Sequence, residues 1–252
     1  PRLVPSNFMR LGLCCCTIFL ARSAFNVACA FLQEGVVIKS TGSWYEVRND
    51  SGEVVLCRLR GKIRLWMGHI GPAPEYKIED AWLDRVAEVV GYAKNAGLYV
   101  IINMHHDGAD SAWWLDIKNA AKDPAKQQQI LEQVSAMWGQ IAEKFRNEGE
   151  YLIFESFNEI HDGKWGWGEN RTDGGKQYQC LNEWNQTFVD AVRGAAGENN
   201  RNRMLGIPAY CTNVDIAVEN FVMPKDVVKD RMMMAVHCYD PYDYTLPANK
   251  SE

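Results

Sequence analysis

Two kinds of periodicity divide the second part of the chain into alternating elements. Continuous apolar runs, typical of strands buried on both faces, occupy 98–104, 151–157, 204–210 and 231–236. Apolar residues at helical spacing predict helices over 80–95, 124–147 and 178–195. Alternation of this kind predicts an α/β fold with a parallel sheet, which closes into a (β/α) barrel or stays open and doubly wound.

Polar side chains come directly after the predicted strands. They are His105 and His106, Asn158 and Glu159, Tyr210, and His237 and Tyr239. In a TIM barrel the active site lies at the carboxyl ends of the strands. No glycine-rich turn follows a strand, which argues against a nucleotide-binding doubly wound sheet. We therefore predict a fold of the (β/α)8 TIM-barrel type, present as a partial barrel, for residues 66–252.

A short β segment is predicted ahead of the barrel, at residues 35–65. Its three strands cover 35–39, 44–48 and 53–60. The basic residues Arg58, Arg60, Lys62 and Arg64 alternate, so an extended chain would carry them on one face. Such a stripe suits RNA, but it is equally an ordinary solvated strand face.

Residues 1–34 form an apolar leader. A basic start, an apolar stretch and Ala28-Cys29-Ala30 resemble a secretory signal, and a buried or disordered leader is the alternative. The stretch is too short and interrupted for a good transmembrane helix, so we predict no membrane contact.

Charge and cysteine content narrow the function classes. The net charge is −5, which argues against nucleic acid as the main partner, although residues 1–65 carry 9 basic against 4 acidic side chains. The eight Cys include no C-x-x-C pair, and neither H-E-x-x-H nor His-x-His occurs. His105 and His106 would point to opposite faces of a strand. We therefore predict neither a metal site nor a cofactor.

Glu159 is the first candidate for chemistry. A carboxyl group in a partly desolvated pocket can act as a general acid near neutral pH, whereas a Glu that caps a helix or faces water does nothing of the kind. Simple alternation would place Glu155, Phe157 and Glu159 on one side of the strand, with two carboxylates inside the barrel.

Tryptophans in the predicted loops are candidates for sugar stacking. Trp165 and Trp167 lie in the polar, Gly-rich run DGKWGWGEN, where a core role is unexpected. Aromatic rings bury the apolar faces of sugar rings, and the alternative is packing of loops onto the barrel rim. Trp113 and Trp114 have the same two interpretations.

The strings WMGHIGPAPEYKIEDAWLDRV, VIINMHHDG, LIFESFNEIHD and MAVHCYDPYDYT resemble glycoside hydrolase family 5, and within it bacterial cellulases. The resemblance implies a retaining (β/α)8 endo-β-1,4-glucanase, a β-glucan partner and a secreted or periplasmic location. It implies that Glu159 is the acid/base, that Asn158 holds the sugar 2-hydroxyl, that His105 lines the site, and that His237 and Tyr239 orient the nucleophile and the sugar ring. The other predicted substrate contacts, from the residue patterns above, are His106, Trp165, Trp167 and Tyr210. It leaves the oligomeric state open.

The resemblance also has gaps. The family's first strand and helix have no counterpart, and Arg64-Leu65-Trp66 departs from the family's R-[IV]-P-V-x-W pattern. The family's nucleophilic Glu follows a seventh strand, for which this sequence has no match. Retaining hydrolysis needs two carboxyl groups, so we expect little or no endoglucanase activity from these residues alone.

A second resemblance covers about 30 residues. G-V-V-I-K-S-T-G-S-W-Y-x-V-R, followed by G-E-V-V-x-C-R-L-R-G-K, resembles the N-terminal OB segment of the ribosome small-subunit-dependent GTPase. No G-x-x-x-x-G-K-[ST] loop is present, so GTPase activity is not implied. The alternative function is therefore an RNA- or ribosome-binding module fused to an inactive barrel fragment.

Overall fold

A computed structural model describes residues 16–20, 35–41, 44–49, 54–58, 61–65, 69–105 and 114–238. Its main sheet has six strands in the order β1-β9-β8-β7-β6-β5. The members are β1 (Cys16–Leu20), β5 (Gly61–Leu65), β6 (Val100–Met104), β7 (Leu152–Phe157), β8 (Leu205–Pro208) and β9 (Met232–Cys238). Strands β5 to β9 are parallel to their neighbours, and β1 is antiparallel to β9.

Helices follow the parallel strands, as the periodicity predicted. They are α1 (Asp80–Asn95), α2 (Ile117–Ala120), α3 (Pro124–Lys144), α4 (Lys176–Gly194), α5 (Glu198–Asn202) and α6 (Val214–Asn220). Local sequence fixes the start of α3, where the Asp123 carboxylate accepts the Ala125 N–H at 2.9 Å and Pro124 occupies the first turn. No helix among the described residues is both long and apolar enough to cross a bilayer.

The core has two parts, one on each face of the sheet. Between sheet and helices, Trp138 of α3 packs against Phe154 of β7 and Phe188 of α4, with ring centroids 5.4 and 4.6 Å away. On the other face, Ile101, Ile153 and Met233 form a smaller cluster. Burial on both faces explains why these strands are continuous apolar runs.

Strand β7 departs from simple alternation. The register with β6 shifts between Asn103 and Met104, so that Asn103 pairs with Glu155 and Met104 with Phe157. Phe157 packs on Trp184 of α4, 6.0 Å between centroids, whereas Glu155 bonds Asn103. The expectation that Glu155 and Phe157 share one side was therefore wrong, because the irregularity turns Phe157 toward the helices.

The segment at 35–65 contributes to two sheets. Strands β2 (Gly35–Thr41), β3 (Trp44–Asn49) and β4 (Val54–Arg58) form a three-stranded antiparallel sheet. Strand β5 instead pairs in parallel with β6, from Gly61 opposite Val100 to Leu65 opposite Met104. The single extended stripe expected from Arg58 to Arg64 is thus divided, since Arg58 ends β4 while Lys62 and Arg64 lie in the main sheet.

The end of the sheet opposite the predicted site is closed by a buried arginine. The Arg203 guanidinium donates to the carbonyl oxygens of Leu152, Phe145 and Glu148 at 2.8–2.9 Å and lies 4.5 Å from the Phe154 ring centroid. Burial lowers its pKa to about 10. Since the last carbonyls of a helix lack partners within it, Arg203 satisfies groups just beyond α3.

Candidate active site

Glu159 and His237 meet at the carboxyl-terminal edge of the sheet. Glu159 comes two residues after β7 and His237 lies in β9. The Oε1 atom of Glu159 and Nδ1 of His237 are hydrogen-bonded, and both side chains are only about a tenth exposed. A carboxyl group that is shielded from water and hydrogen-bonded to an imidazole has the geometry of a proton-transfer group.

The surroundings of Glu159 are dense and carry negative charge. Asn158 beside it is 6% exposed, and the carbonyl of Ile160 accepts the Cys211 N–H at 2.8 Å, which ties the loop after β7 to the loop after β8. Burial raises the pKa of the Cys211 thiol to about 12, and the carboxylates of Glu159 and Asp162 add to that rise. The Cys211 thiol near Glu159 therefore stays uncharged at neutral pH.

A second carboxyl group lies inside the sheet. Glu155 is completely buried, and its Oε2 accepts the Asn103 Nδ2 at 3.0 Å. Its strand places it on the face of the Ile153 cluster. Glu155 thus belongs to the interior of the sheet, whereas Glu159 reaches its edge.

The structure describes only some of the other residues predicted for the site. His105 follows β6 directly, at the same edge as Glu159, and is partly buried. His106, Trp113 and Tyr239 lie outside the described residues. Among the residues that are described, no three His, Cys, Asp or Glu side chains form a group suited to a metal ion.

The tryptophans of the loop after β7 are on the surface. Trp165 is 49% and Trp167 81% exposed. Trp165 lies on the His161 ring, 4.1 Å between centroids, and the Arg171 guanidinium sits 4.9 Å from the Trp167 ring. Trp114, in contrast, is buried in the core, so for that residue the packing interpretation holds.

Tyr210 is inside the protein. It is 3% exposed, its hydroxyl donates to Gln177 Oε1 at 2.7 Å, and the same hydroxyl accepts the Asp162 N–H at 3.0 Å. A hydroxyl with two internal partners at this depth does not meet a ligand. The expected substrate contact is therefore replaced by support of the neighbouring loop, a change that burial alone explains.

Sequence reasoning missed the residues under that loop. Asp162, Asn170 and Gln177 join in hydrogen bonds over positions 162–178, and Asn170 and Gln177 are almost fully buried. Among these residues, only Asp162 has a local signal in the sequence, since an Asp-Gly pair is typical of a turn.

Comparison with known proteins identifies the family of this chain. Residues 57–252 match the cellulase (glycosyl hydrolase family 5) model, so the chain belongs to that family. Endoglucanase A of Paenibacillus barcinonensis is 38% identical over 191 residues, which cover 71% of this chain and 45% of the relative. The xyloglucan-specific endo-β-1,4-glucanase of Bacteroides ovatus is 40% identical over 177 residues, or 70% of this chain and 33% of the relative.

Solved structures extend the same relationship. A broad-specificity endoglucanase from Bacteroides salanitronis is 60% identical with a TM-score of 0.70, over 73% of this chain and 48% of that one. An endoglucanase from Ruminococcus champanellensis with bound cellotriose is 35% identical with a TM-score of 0.63, over 75% and 52%. The (β/α)8 class is thereby confirmed, and the chain spans about half the length of these relatives.

The second resemblance is also confirmed. Residues 34–73 match the model of the RsgA N-terminal domain, and this match overlaps the family 5 match from residue 57 onward. The overlap includes β5, the strand that pairs with β6 in the main sheet.

Proposed function

We propose that this chain binds β-1,4-linked glucan as part of a glycoside hydrolase, in which Glu159 is the general acid/base. The contact between Glu159 and His237 carries the proposal, because it sets a buried carboxyl group at the carboxyl-terminal edge of the sheet, where the active sites of (β/α)8 barrels lie. Protonation of a glycosidic oxygen requires a carboxyl group that is partly shielded from water and still reaches the substrate.

His237 has a defined part in this proposal. Its Nδ1 hydrogen bond to Oε1 restricts the rotamer of the Glu159 carboxyl group. A general acid held in one orientation loses less entropy in the reaction. In this arrangement Asn158 binds the 2-hydroxyl of the sugar, while His105, His106 and Tyr239 contribute further substrate contacts.

Trp165 and Trp167 are the proposed stacking surfaces for the glucan chain. Both rings are exposed in the loop that follows Glu159. There they can cover the apolar faces of glucose units. The relatives include an endoglucanase and a xyloglucan-specific endo-β-1,4-glucanase, which supports a β-1,4-glucan as the substrate here. Since such a polymer does not enter cells intact, we propose a secreted or periplasmic location.

Binding tests the substrate class. Cellotetraose titrated calorimetrically into the protein should bind at least tenfold more tightly than laminaritetraose, its β-1,3-linked counterpart. Asn158→Ala should weaken cellotetraose binding about tenfold, and Glu219→Gln, on the exposed face of α6, should not. Equal affinity for both sugars, or an unaffected Asn158→Ala variant, contradicts the proposal.

An imidazole-fused cellobiose analogue tests the acid/base role. Its basic nitrogen lies in the plane where a glycosidic oxygen would be protonated, so it measures the carboxyl group separately from general sugar binding. Glu159→Gln should weaken this inhibitor at least tenfold and change cellotriose affinity less than threefold. A variant that binds both ligands as the parent does would remove Glu159 from the role.

Binding measurements on the same purified protein also test the RNA-binding alternative. Arg58 ends β4 whereas Lys62 and Arg64 lie in β5, so these three basic positions of the predicted stripe are on two different strands. Binding of ribosomal RNA together with no binding of cellotetraose would favour that alternative.

A further inference from the structure

The loop that carries the two tryptophans is built around one carboxylate. Asp162 Oδ1 accepts the N–H of Lys164 at 3.2 Å, and Oδ2 accepts the N–H of Asn170 at 3.3 Å. Lys164 and Asn170 lie on either side of Trp165 and Trp167. One side chain therefore holds both ends of the segment that presents the rings.

Asp162 is itself anchored to two other elements. Its N–H donates to the hydroxyl of Tyr210 beyond β8, and that hydroxyl donates to Gln177 in the first turn of α4. Gln177 is 1% exposed and its Nε2 lies 3.5 Å from Asp162 Oδ2. The carboxylate thus has a fixed place relative to β8 and α4.

Two glycines leave the space that this packing needs. A Cβ atom on Gly168 would overlap the Asp162 carboxylate, and one on Gly166 would come within 2.7 Å of Ile216 Cδ1. Gly166 also has a φ of 87°, which side-chain-bearing residues rarely adopt. The Trp-Gly-Trp-Gly pattern is therefore a packing requirement as well as a source of two aromatic rings.

Trp165 is held in an unfavourable backbone conformation. Its φ is 51°, in the left-handed region. Its ring rests on His161, whose Nδ1 accepts the Gly163 N–H at 2.9 Å. Such strain persists only where surrounding contacts determine the conformation. A half-exposed ring fixed in this way meets a ligand with little further loss of entropy.

We propose that Asp162 is a positioning residue for glucan binding, which acts by holding Trp165 in its stacking orientation. This inference rests on the proposed function for the identity of the ligand. It does not require Asp162 to touch the sugar, because its oxygens are engaged by the backbone of its own loop.

A double-mutant cycle tests the coupling. Asp162→Ala and Trp165→Ala should each weaken cellotetraose binding about tenfold, and the double variant should be no weaker than either alone, because residues that act as a unit are non-additive. Gly168→Ala should reproduce Asp162→Ala by displacing the carboxylate. Asp215→Asn, exposed on α6, is the matched control. Losses that add, or unchanged binding by Asp162→Ala, overturn the proposal.

A second measurement works without any sugar. Trypsin can cleave after the exposed Lys164, next to Trp165. Asp162→Ala should raise the rate of cleavage there at least tenfold in the native protein, while the melting temperature stays within a few degrees. An unchanged rate overturns the inference. If cellotetraose fails to bind but this rate rises, the ligand assignment fails and the role of Asp162 in the loop stands.

Discussion

Glu159 and His237 contact each other although their strands are not neighbours. β8 lies between β7 and β9, and strands two apart in a flat sheet are about 9–10 Å from one another. Because Glu159 lies two residues beyond β7, its side chain and that of His237 can span this distance over the end of β8. The contact therefore joins the loop after β7 to strand β9.

Removal of His237 should lower the free energy of unfolding, because the buried Glu159 carboxylate loses its imidazole partner. His237→Phe fills much of the same space but leaves a buried carboxylate without this partner, so we expect the free energy of unfolding at pH 7 to fall by about 1–3 kcal/mol. Urea denaturation measures the change. Adding Glu159→Gln should restore part of the loss, and a double variant less stable than His237→Phe would contradict the explanation.

Arg203 should be among the most sensitive positions for stability. Arg203→Met removes the guanidinium donors from the carbonyl oxygens of Phe145, Glu148 and Leu152, and we expect a loss of roughly 3–5 kcal/mol. Arg203→Lys should recover little, because an ammonium lacks the planar fork. Arg201→Gln, exposed two residues earlier, should change stability by less than about 0.5 kcal/mol.

The ion pair between Lys94 and Glu148 should make the free energy of unfolding depend on pH in the acidic range. The hydrogen bond from Lys94 lowers the pKa of Glu148, followed in effect by the hydroxyl of Tyr151. A lowered carboxyl pKa stabilises the fold above the unfolded value, near 4.5, and this stabilisation is lost as pH falls through the folded value.

Glu148→Gln should consequently flatten the fall in stability below pH 4.5. Because Lys94 is half exposed, we expect a loss of only about 0.5 kcal/mol at pH 7. Denaturation curves at pH 3, 4, 5 and 7 measure it, with Glu219→Gln as the exposed control. A difference from the parent that stays constant over this range would rule out the ion pair as its cause.

Cys180 and Cys211 should be unreactive in the native protein. Burial raises the pKa of Cys180 to about 11 and that of Cys211 to about 12. Since the thiolate is the nucleophile, iodoacetamide at pH 8 should modify both at least about 100-fold more slowly than an unfolded thiol. Mass spectrometry of the labelled peptides reads each site separately, and fast native labelling of Cys211 would contradict its burial.

Much of the architecture was predictable because it follows from periodicity. The pattern predicted helices at 80–95 and 124–147, and the structure has them at Asp80–Asn95 and Pro124–Lys144. Placement of Glu159 and His237 followed from the rule that sites gather at carboxyl ends of parallel strands. These inferences use only local pattern and one rule of topology.

The remainder depended on packing between distant positions. The irregularity in β7 and the burial of Tyr210 and Trp114 leave no periodic signal, since each is decided by what lies opposite in space. Asp162 reaches Tyr210 across 48 positions. The basic stripe failed for a related reason, because pairing of β5 with β6 outweighed continuity with β4.

Arg203 also bears on how freely the opposite end of the protein can change. Its contacts close the amino-terminal end of the sheet, away from Glu159, and they involve no residue of the tryptophan loop. The contacts that close this end therefore share no residue with the loop after β7. Loop sequences from family 5 relatives could be exchanged into positions 163–171 with the fold preserved, provided that Asp162, Gly166, Gly168 and the buried Asn170 are kept.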